Sequence, residues 1–163
     1  MDRQLMINIA LTGGGATLVM DLWGVLQQRL LRIPPLNYAL VGRWILWAAR
    51  GRIRHSTIIS TPAMSREVAL GWGAHYLTGI LFAAIPAATD GAGWFRHPEF
   101  QTALLAGAIT LLAPFCILQP AFGFGIAASR TPHPWRARLL SVLAHLAFGC
   151  GLYLSATALN ALC

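Results

Sequence analysis

The chain is 163 residues long, 56% hydrophobic and only 10% charged, where a soluble domain carries about 25% charged residues. A chain of this size cannot hide so much apolar surface in one core, which argues against a water-soluble globule; either the bilayer or a partner must cover the excess, and the bilayer is the simpler answer. Twelve arginines, no lysine and five acids give a formal net charge of +7. The absence of lysine excludes P-loop and Schiff-base chemistry, and arginines set between apolar blocks do not make a nucleic-acid-binding module.

A spanning helix needs about 20 mainly apolar residues, and four segments qualify, about 5–26, 68–89, 102–128 and 139–162. The expected fold is all-α, one polytopic four-helix membrane domain over 1–163. The first span carries Gly13, Gly14, Gly15 and Asp21 and has no small-residue cleavage site, so it reads as a retained span and not a signal peptide. The glycines mark close helix packing, since no strand precedes them as a phosphate cradle would need.

The first connection, about 30–67, holds or adjoins seven arginines, Arg29 through Arg66. Asn37 can cap a helix running to about Gly51, with Leu40, Val41, Trp44 and Trp47 apolar and Arg43 and Arg50 together on one side. Such an amphipathic helix would lie in the membrane surface and set Arg43, Arg50, Arg52 and Arg54 against anionic headgroups or a partner. The alternative is a solvated loop packed against the bundle. Thr61 with Pro62, and Ser65, are candidate starts for the second span.

The third span contains Pro114 and Pro120, with Gly123 and Gly125, which predicts a kink; carbonyls freed there must face protein or water. The connection after it, about 129–138, carries Arg130, Arg136 and Arg138. The positive-inside rule then places the first and third connections in the cytoplasm and both termini on the opposite side. Trp72, Trp94 and Trp135 sit at span ends, where indoles favour the interface. Cys116, Cys150 and Cys163 form no CxxC pair or closed disulfide framework, and His55, His97 and His133, in connections, read as solvated.

Two patterns suggest an internal repeat. Gly71, Ala74, His75 and Gly79 match Ser141, Ala144, His145 and Gly149, and Asp21 precedes Arg32 and Pro34 by the same 11 and 13 residues as Gln119 precedes Arg130 and Pro132. These imply two helical hairpins in one orientation, a parallel repeat. At about 1.5 Å per residue, Asp21, His75, His145 and Gln119 fall at similar depth and form a polar layer. Ionisable groups within a span are functional-site candidates. Asp21 with His75 and His145 can relay protons, ligate a metal such as Zn or Fe, or hold a haem between the two histidines; no cofactor at all is the simplest expectation. The layer can also serve only as interhelical hydrogen-bonding glue.

The blocks Gly15-Ala-Thr-Leu-Val-Met-Asp-Leu-Trp23, Leu36-Asn-Tyr-Ala-Leu-Val-Gly-Arg-Trp44, Leu70-Gly-Trp-Gly-Ala-His-Tyr76 and Gln119-Pro through Ala127-Ala-Ser-Arg-Thr-Pro132 resemble a bacterial family of small membrane proteins, the domain of unknown function 2938. The resemblance implies a multi-pass inner-membrane protein with both termini periplasmic, and supplies no activity or catalytic residue. Binding or movement of a proton, metal ion or small solute through the polar layer, in a homodimer or a larger membrane complex, is the functional expectation. The rival expectations are an accessory subunit docking lipid or a partner through its arginine-rich loop, and a membrane-embedded metal or haem enzyme.

Overall fold

The computed structural model describes residues 3–162; Cys163 lies outside them. Among the described residues the chain is helical, with α1 (Arg3–Leu31), α2 (Ala39–Ala48), α3 (Glu67–Phe82), α4 (Ile85–Asp90), α5 (Phe100–Thr110), α6 (Gln119–Ala121) and α7 (Pro134–Leu162). Four stretches are long and apolar enough to cross a membrane: Arg3–Leu31, Glu67–Asp90, Phe100–Ala121 and Pro134–Ala161. Only 17% to 28% of the most apolar part of each is buried inside the chain. Side chains such as Leu22, Leu81, Leu112 and Leu154 are exposed, so the helices are compatible with a multi-pass membrane protein whose remaining apolar faces are covered by lipid.

The helix ends follow from local chemistry. α1 stops at Arg32, which adopts φ 55° and donates its N–H to the Gln28 carbonyl at 3.1 Å. This is a single-bond left-handed cap, and Pro34 beyond it blocks continuation. The second span starts at Glu67 rather than at Thr61 or Ser65, and the Glu67 carboxylate accepts the Met64 N–H at 2.9 Å.

The third span ends seven residues before the expected 128. Gly123 takes φ 87°, the Phe124 N–H bonds the Gln119 carbonyl at 2.8 Å, and the Gly123 N–H bonds the Pro120 carbonyl at 3.2 Å. These two bonds are the Schellman pair, which needs a left-handed residue that glycine supplies without strain. The irregularity expected from Pro114 appears as a π-helical segment, Pro114–Leu118, in which the Gln119 N–H reaches back to the Pro114 carbonyl. Local structure also departs from the repeat, because Asp21 lies ten residues before the end of α1 and Gln119 only two before the end of α6.

The chain forms two compact units. The first comprises the described parts of Met1–Pro35, Tyr76–Thr110 and Leu143–Cys163. Its core is built from Ala16, Ala83, Trp94, Phe95, Ala103, Ala106, Phe148, Leu152 and Ala156. So many alanines mean that backbones approach closely, as small residues permit between membrane helices. A Cβ on Gly13 would lie 2.5 Å from the Ile80 Cα, and one on Gly151 would lie 2.7 Å from the Ala16 Cα.

The second unit comprises Leu36–His75 and Leu111–Val142. Ile58, Ala121 and Phe122 form its core, against which Leu40, Val41 and Trp44 of α2 pack. The Asn37 side chain accepts the Ala39 N–H at 3.1 Å, so α2 starts where expected, but it ends at Ala48 and a turn follows to Gly51, at φ 84°. α2 meets the start of α3 through glycines: a Cβ on Gly42 would strike the Glu67 carbonyl, and one on Gly71 the Tyr38 carbonyl.

Candidate functional site

The four residues of the expected polar layer divide between the units. In the first, Asp21 accepts a hydrogen bond from the Tyr76 hydroxyl at 3.1 Å. His145 Nδ1 lies 2.6 Å from the Thr110 hydroxyl, and that hydroxyl donates to the Gly107 carbonyl at 2.6 Å. A hydroxyl has one proton, so in this arrangement Thr110 accepts from an N–H on His145 Nδ1.

In the second unit, His75 stacks on Tyr38 with ring centroids 3.9 Å apart and planes at 20°, and the edge of Trp72 approaches at 5.9 Å. Gln119 reaches the Ser141 hydroxyl at 3.5 Å, while its Oε1 is buried with no hydrogen-bond partner. Gln119 sits in the last turn of its helix, not deep in a span as counting residues toward 128 implied, because the Schellman turn ends the helix there. Among the described residues no group of three or more His, Cys, Asp or Glu side chains could hold a metal ion. The set of Asp21, His75 and His145 as metal ligands therefore gains no support.

Four arginines of the first connection, Arg43, Arg50, Arg52 and Arg54, were expected against headgroups or a partner, and they have distinct settings. Arg43 turns inward. Its Nε donates to Glu67 Oε2 at 2.9 Å and its Nη2 to Oε1 at 2.8 Å, while Nη1 donates to the carbonyls of Thr61 at 3.0 Å and Ile58 at 3.3 Å. The hydrogen bonds to Glu67 raise the Arg43 pKa further, against the opposing effect of burial. Arg50 and Arg52 are exposed and hold their guanidinium carbons 5.7 and 5.6 Å from the centroid of the Trp47 ring, within cation–π range. The Trp47 indole is pinned by its N–H to the Pro62 carbonyl at 3.1 Å, and Trp44 is pinned likewise to the Ile53 carbonyl at 2.8 Å.

Arg54 lines a cleft of about 420 Å³ together with His55, Ser129 and Arg130. His55, expected to be solvated, is only 6% exposed. The reason is that the loop folds back on the end of the third span, with the N–H groups of His55 and Ile58 bonding the carbonyls of Ala121 and Phe122 at 3.0 and 2.9 Å. His55 Nδ1 lies 3.1 Å from the Thr61 hydroxyl, which donates to the Thr57 carbonyl at 2.9 Å. The proton is thereby placed on Nδ1, and Nε2 is buried with no hydrogen-bond partner. Burial first, then the charge of Arg52, pushes the His55 pKa below its ordinary value, and a hydrogen bond to the Arg52 backbone works against them.

Residues 10–159 match a family described as a protein of unknown function, DUF2938. The chain belongs to this family. No curated protein and no solved structure matches it. The DUF2938 match takes in the Arg43–Glu67 pair, the Trp47 arginines and the whole cleft. Sequence reading missed Glu67, His55, Thr61, Ser129, Tyr76 and Thr110 as partners within these groups. One signal was present: Glu67 is the sole acid between Asp21 and Asp90, in a segment rich in arginine.

Proposed function

We propose that this DUF2938 protein is a bacterial inner-membrane protein, with both termini periplasmic, that docks on anionic lipid headgroups through its first connection on the cytoplasmic side. The carrying observation is that Arg50 and Arg52 lie over one pinned Trp47 ring. An indole prefers the headgroup level of a bilayer, and two guanidinium groups held against it present their charge at that depth. The one acid of the connection, Glu67, is taken by Arg43, which leaves Arg50 and Arg52 for an external anion. α2, with Trp44 and Trp47, supports an interfacial placement.

The test uses the full-length protein in nanodiscs of mixed phosphatidylglycerol and phosphatidylcholine, with retained lipid measured by native mass spectrometry. At about 1 kcal/mol per arginine near an anionic surface, Arg50→Gln with Arg52→Gln lowers the preference for phosphatidylglycerol by roughly tenfold or more. An unchanged preference overturns the reading.

A second reading assigns Asp21, His75, His145 and Gln119 to binding or moving a proton or small solute, in a homodimer or a larger complex. The contact of the Tyr76 hydroxyl with the Asp21 carboxylate favours it, since a hydroxyl on a carboxylate within a span is a group through which a proton can pass. Proton flux into proteoliposomes, abolished by Asp21→Asn, supports it; wild-type flux no higher than that of empty vesicles removes it.

A further inference from the structure

We propose that the loop 53–62 is an interfacial anchor, lying at the boundary between lipid headgroups and acyl chains with the side chains of Ile53 and Ile59 against hydrocarbon. The inference rests on the membrane placement proposed above and deepens it, by naming acyl chains as the partner of a segment outside all four span-length helices.

The backbone carries the first part of the argument. A loop in water leaves its carbonyls to the solvent, whereas irregular backbone is kept out of a bilayer unless protein satisfies its polar groups. Here protein does so. Arg43 Nη1 donates to the carbonyls of Ile58, Ile59 and Thr61 at 3.3, 3.4 and 3.0 Å. The indole N–H groups of Trp44 and Trp47 take the carbonyls of Ile53 and Pro62 at 2.8 and 3.1 Å. The Thr61 hydroxyl donates to the Thr57 carbonyl at 2.9 Å, and the Thr57 hydroxyl accepts the Ile59 N–H at 3.3 Å. The N–H groups of His55, Ile58 and Thr61 bond the carbonyls of Ala121, Phe122 and Ile58. An arginine and two tryptophans are thereby committed to carbonyls that water would satisfy unaided.

The side chains carry the second part. Ile58 is fully buried and fixes the loop, while its neighbour Ile59 is 65% exposed and Ile53 is 59% exposed. A single exposed apolar side chain is ordinary on a protein in water. Two isoleucines on a loop whose carbonyls are taken by protein are instead placed for an apolar medium. Arg54, the one formally charged residue of 53–62, has a stem long enough to lie along apolar surface while its guanidinium reaches the headgroups. Arg52 directly precedes Ile53 and stands with Arg50 over the Trp47 ring. The apolar surface is therefore continuous with the cationic one, the pairing of acyl and headgroup contacts that interfacial segments use.

The experiment places wild-type, full-length protein in phosphatidylcholine vesicles that contain a small fraction of phosphatidylcholine with a photoreactive diazirine in the upper part of one acyl chain. After irradiation, trypsin cuts at Arg54, Arg66 and Arg96, and mass spectrometry maps the lipid adducts. Peptide 67–96 contains the span-length helix Glu67–Asp90 and is the internal reference, whereas peptide 55–66 lies outside every such helix. Peptide 55–66 carries adducts at Ile59, in yield comparable to the reference. Ile59→Asp, at an exposed position, lowers the yield on 55–66 by roughly tenfold or more, because a charged side chain is costly at that depth, and leaves the yield on 67–96 unchanged.

Adducts on 67–96 with none on 55–66 overturn the anchor and leave the membrane placement standing. Adducts on neither peptide overturn both. Labelling of 55–66 at the wild-type level in the Ile59→Asp protein also overturns the anchor. Phosphatidylcholine carries no net charge, so none of these outcomes depends on whether Arg50 and Arg52 prefer anionic lipid.

Discussion

The Arg43 guanidinium holds the Glu67 carboxylate through two parallel bonds of 2.9 and 2.8 Å, across 24 residues of chain, with side chains only 12% and 11% exposed. The same guanidinium reaches the carbonyls of Ile58 and Thr61, so one side chain ties α2, the loop after it and the start of α3. Removing one member of such a pair strands a charge in a site with little water. Arg43→Gln therefore costs about 3 kcal/mol of local stability. By the Boltzmann relation this increases trypsin cleavage at Arg52 and Arg54 by roughly a hundredfold. Arg43→Lys falls between, because an ammonium cannot reproduce the planar fork. Cleavage of Arg43→Gln at the wild-type rate would show that the pair does not hold the loop.

His55 gives the connection a defined response to pH. Its folded pKa is depressed by burial and by Arg52, and Arg54 and Arg130 on the same cleft are also cationic. The unfolded chain keeps a value near 6.5. Above that value both states are neutral and stability is unaffected. Below it the unfolded chain takes up the proton first, so stability falls with pH until the folded histidine titrates too. Melting followed by circular dichroism from pH 7.5 to 5.5 shows a decline that is shallower in His55→Gln, where the other histidines still titrate. Equal slopes in the two proteins count against a neutral, buried His55.

The four long apolar helices were legible in the amino-acid order because a run of about 20 apolar residues shows itself whatever it packs against, and three of the four ranges lie within five residues of the observed helices. The third span was overrun because Ile126, Ala127 and Ala128 extend the apolar run past the Schellman turn at Gly123. A capping reading of Gly123, two residues after Ala121, would have placed the stop. The sites were less legible. Arg43 was visible as a charge, but its role depends on Glu67, 24 residues away, and no helical spacing reports such a contact. His55 sits in a polar loop and reads as solvated, yet its burial depends on backbone bonds to Ala121 and Phe122. Asp21 was visible as the one acid of a long apolar helix, while its hydroxyl partner Tyr76 was passed over for the neighbouring His75.

The Tyr76–Asp21 contact has a modest structural weight. Hydrogen bonds between membrane helices contribute about 0.6 kcal/mol on average and up to about 1.7. Tyr76→Phe deletes the donor without changing ring volume, and it lowers thermal stability in detergent by about 1 kcal/mol. Loss of the helical fold in that variant would mean that Tyr76 carries far more than one hydrogen bond.

Gly13, Gly14 and Gly15 are consecutive yet differ in what lies beside them, and this makes a controlled series. A Cβ on Gly13 would lie 2.5 Å from the Ile80 Cα, and one on Gly15 would strike the Ser155 hydroxyl, whereas one on Gly14 meets nothing within 4 Å. Gly13→Ala must push apart backbone that cannot rotate away, and overpacking of this kind costs about 1–3 kcal/mol. Gly15→Ala meets the Ser155 hydroxyl, which can rotate away, and the Ser155 Cβ at 3.0 Å, a milder approach than backbone at 2.5 Å, so its cost is smaller. Gly14→Ala adds a methyl in open space and removes a flexible residue from the interior of α1, a gain of about 0.5–1 kcal/mol. Melting temperatures in one detergent should therefore run Gly14→Ala above wild type, then Gly15→Ala, then Gly13→Ala. A Gly13→Ala variant as stable as wild type would mean that α1 and the Gly79–Ile80 backbone do not approach closely in the folded protein.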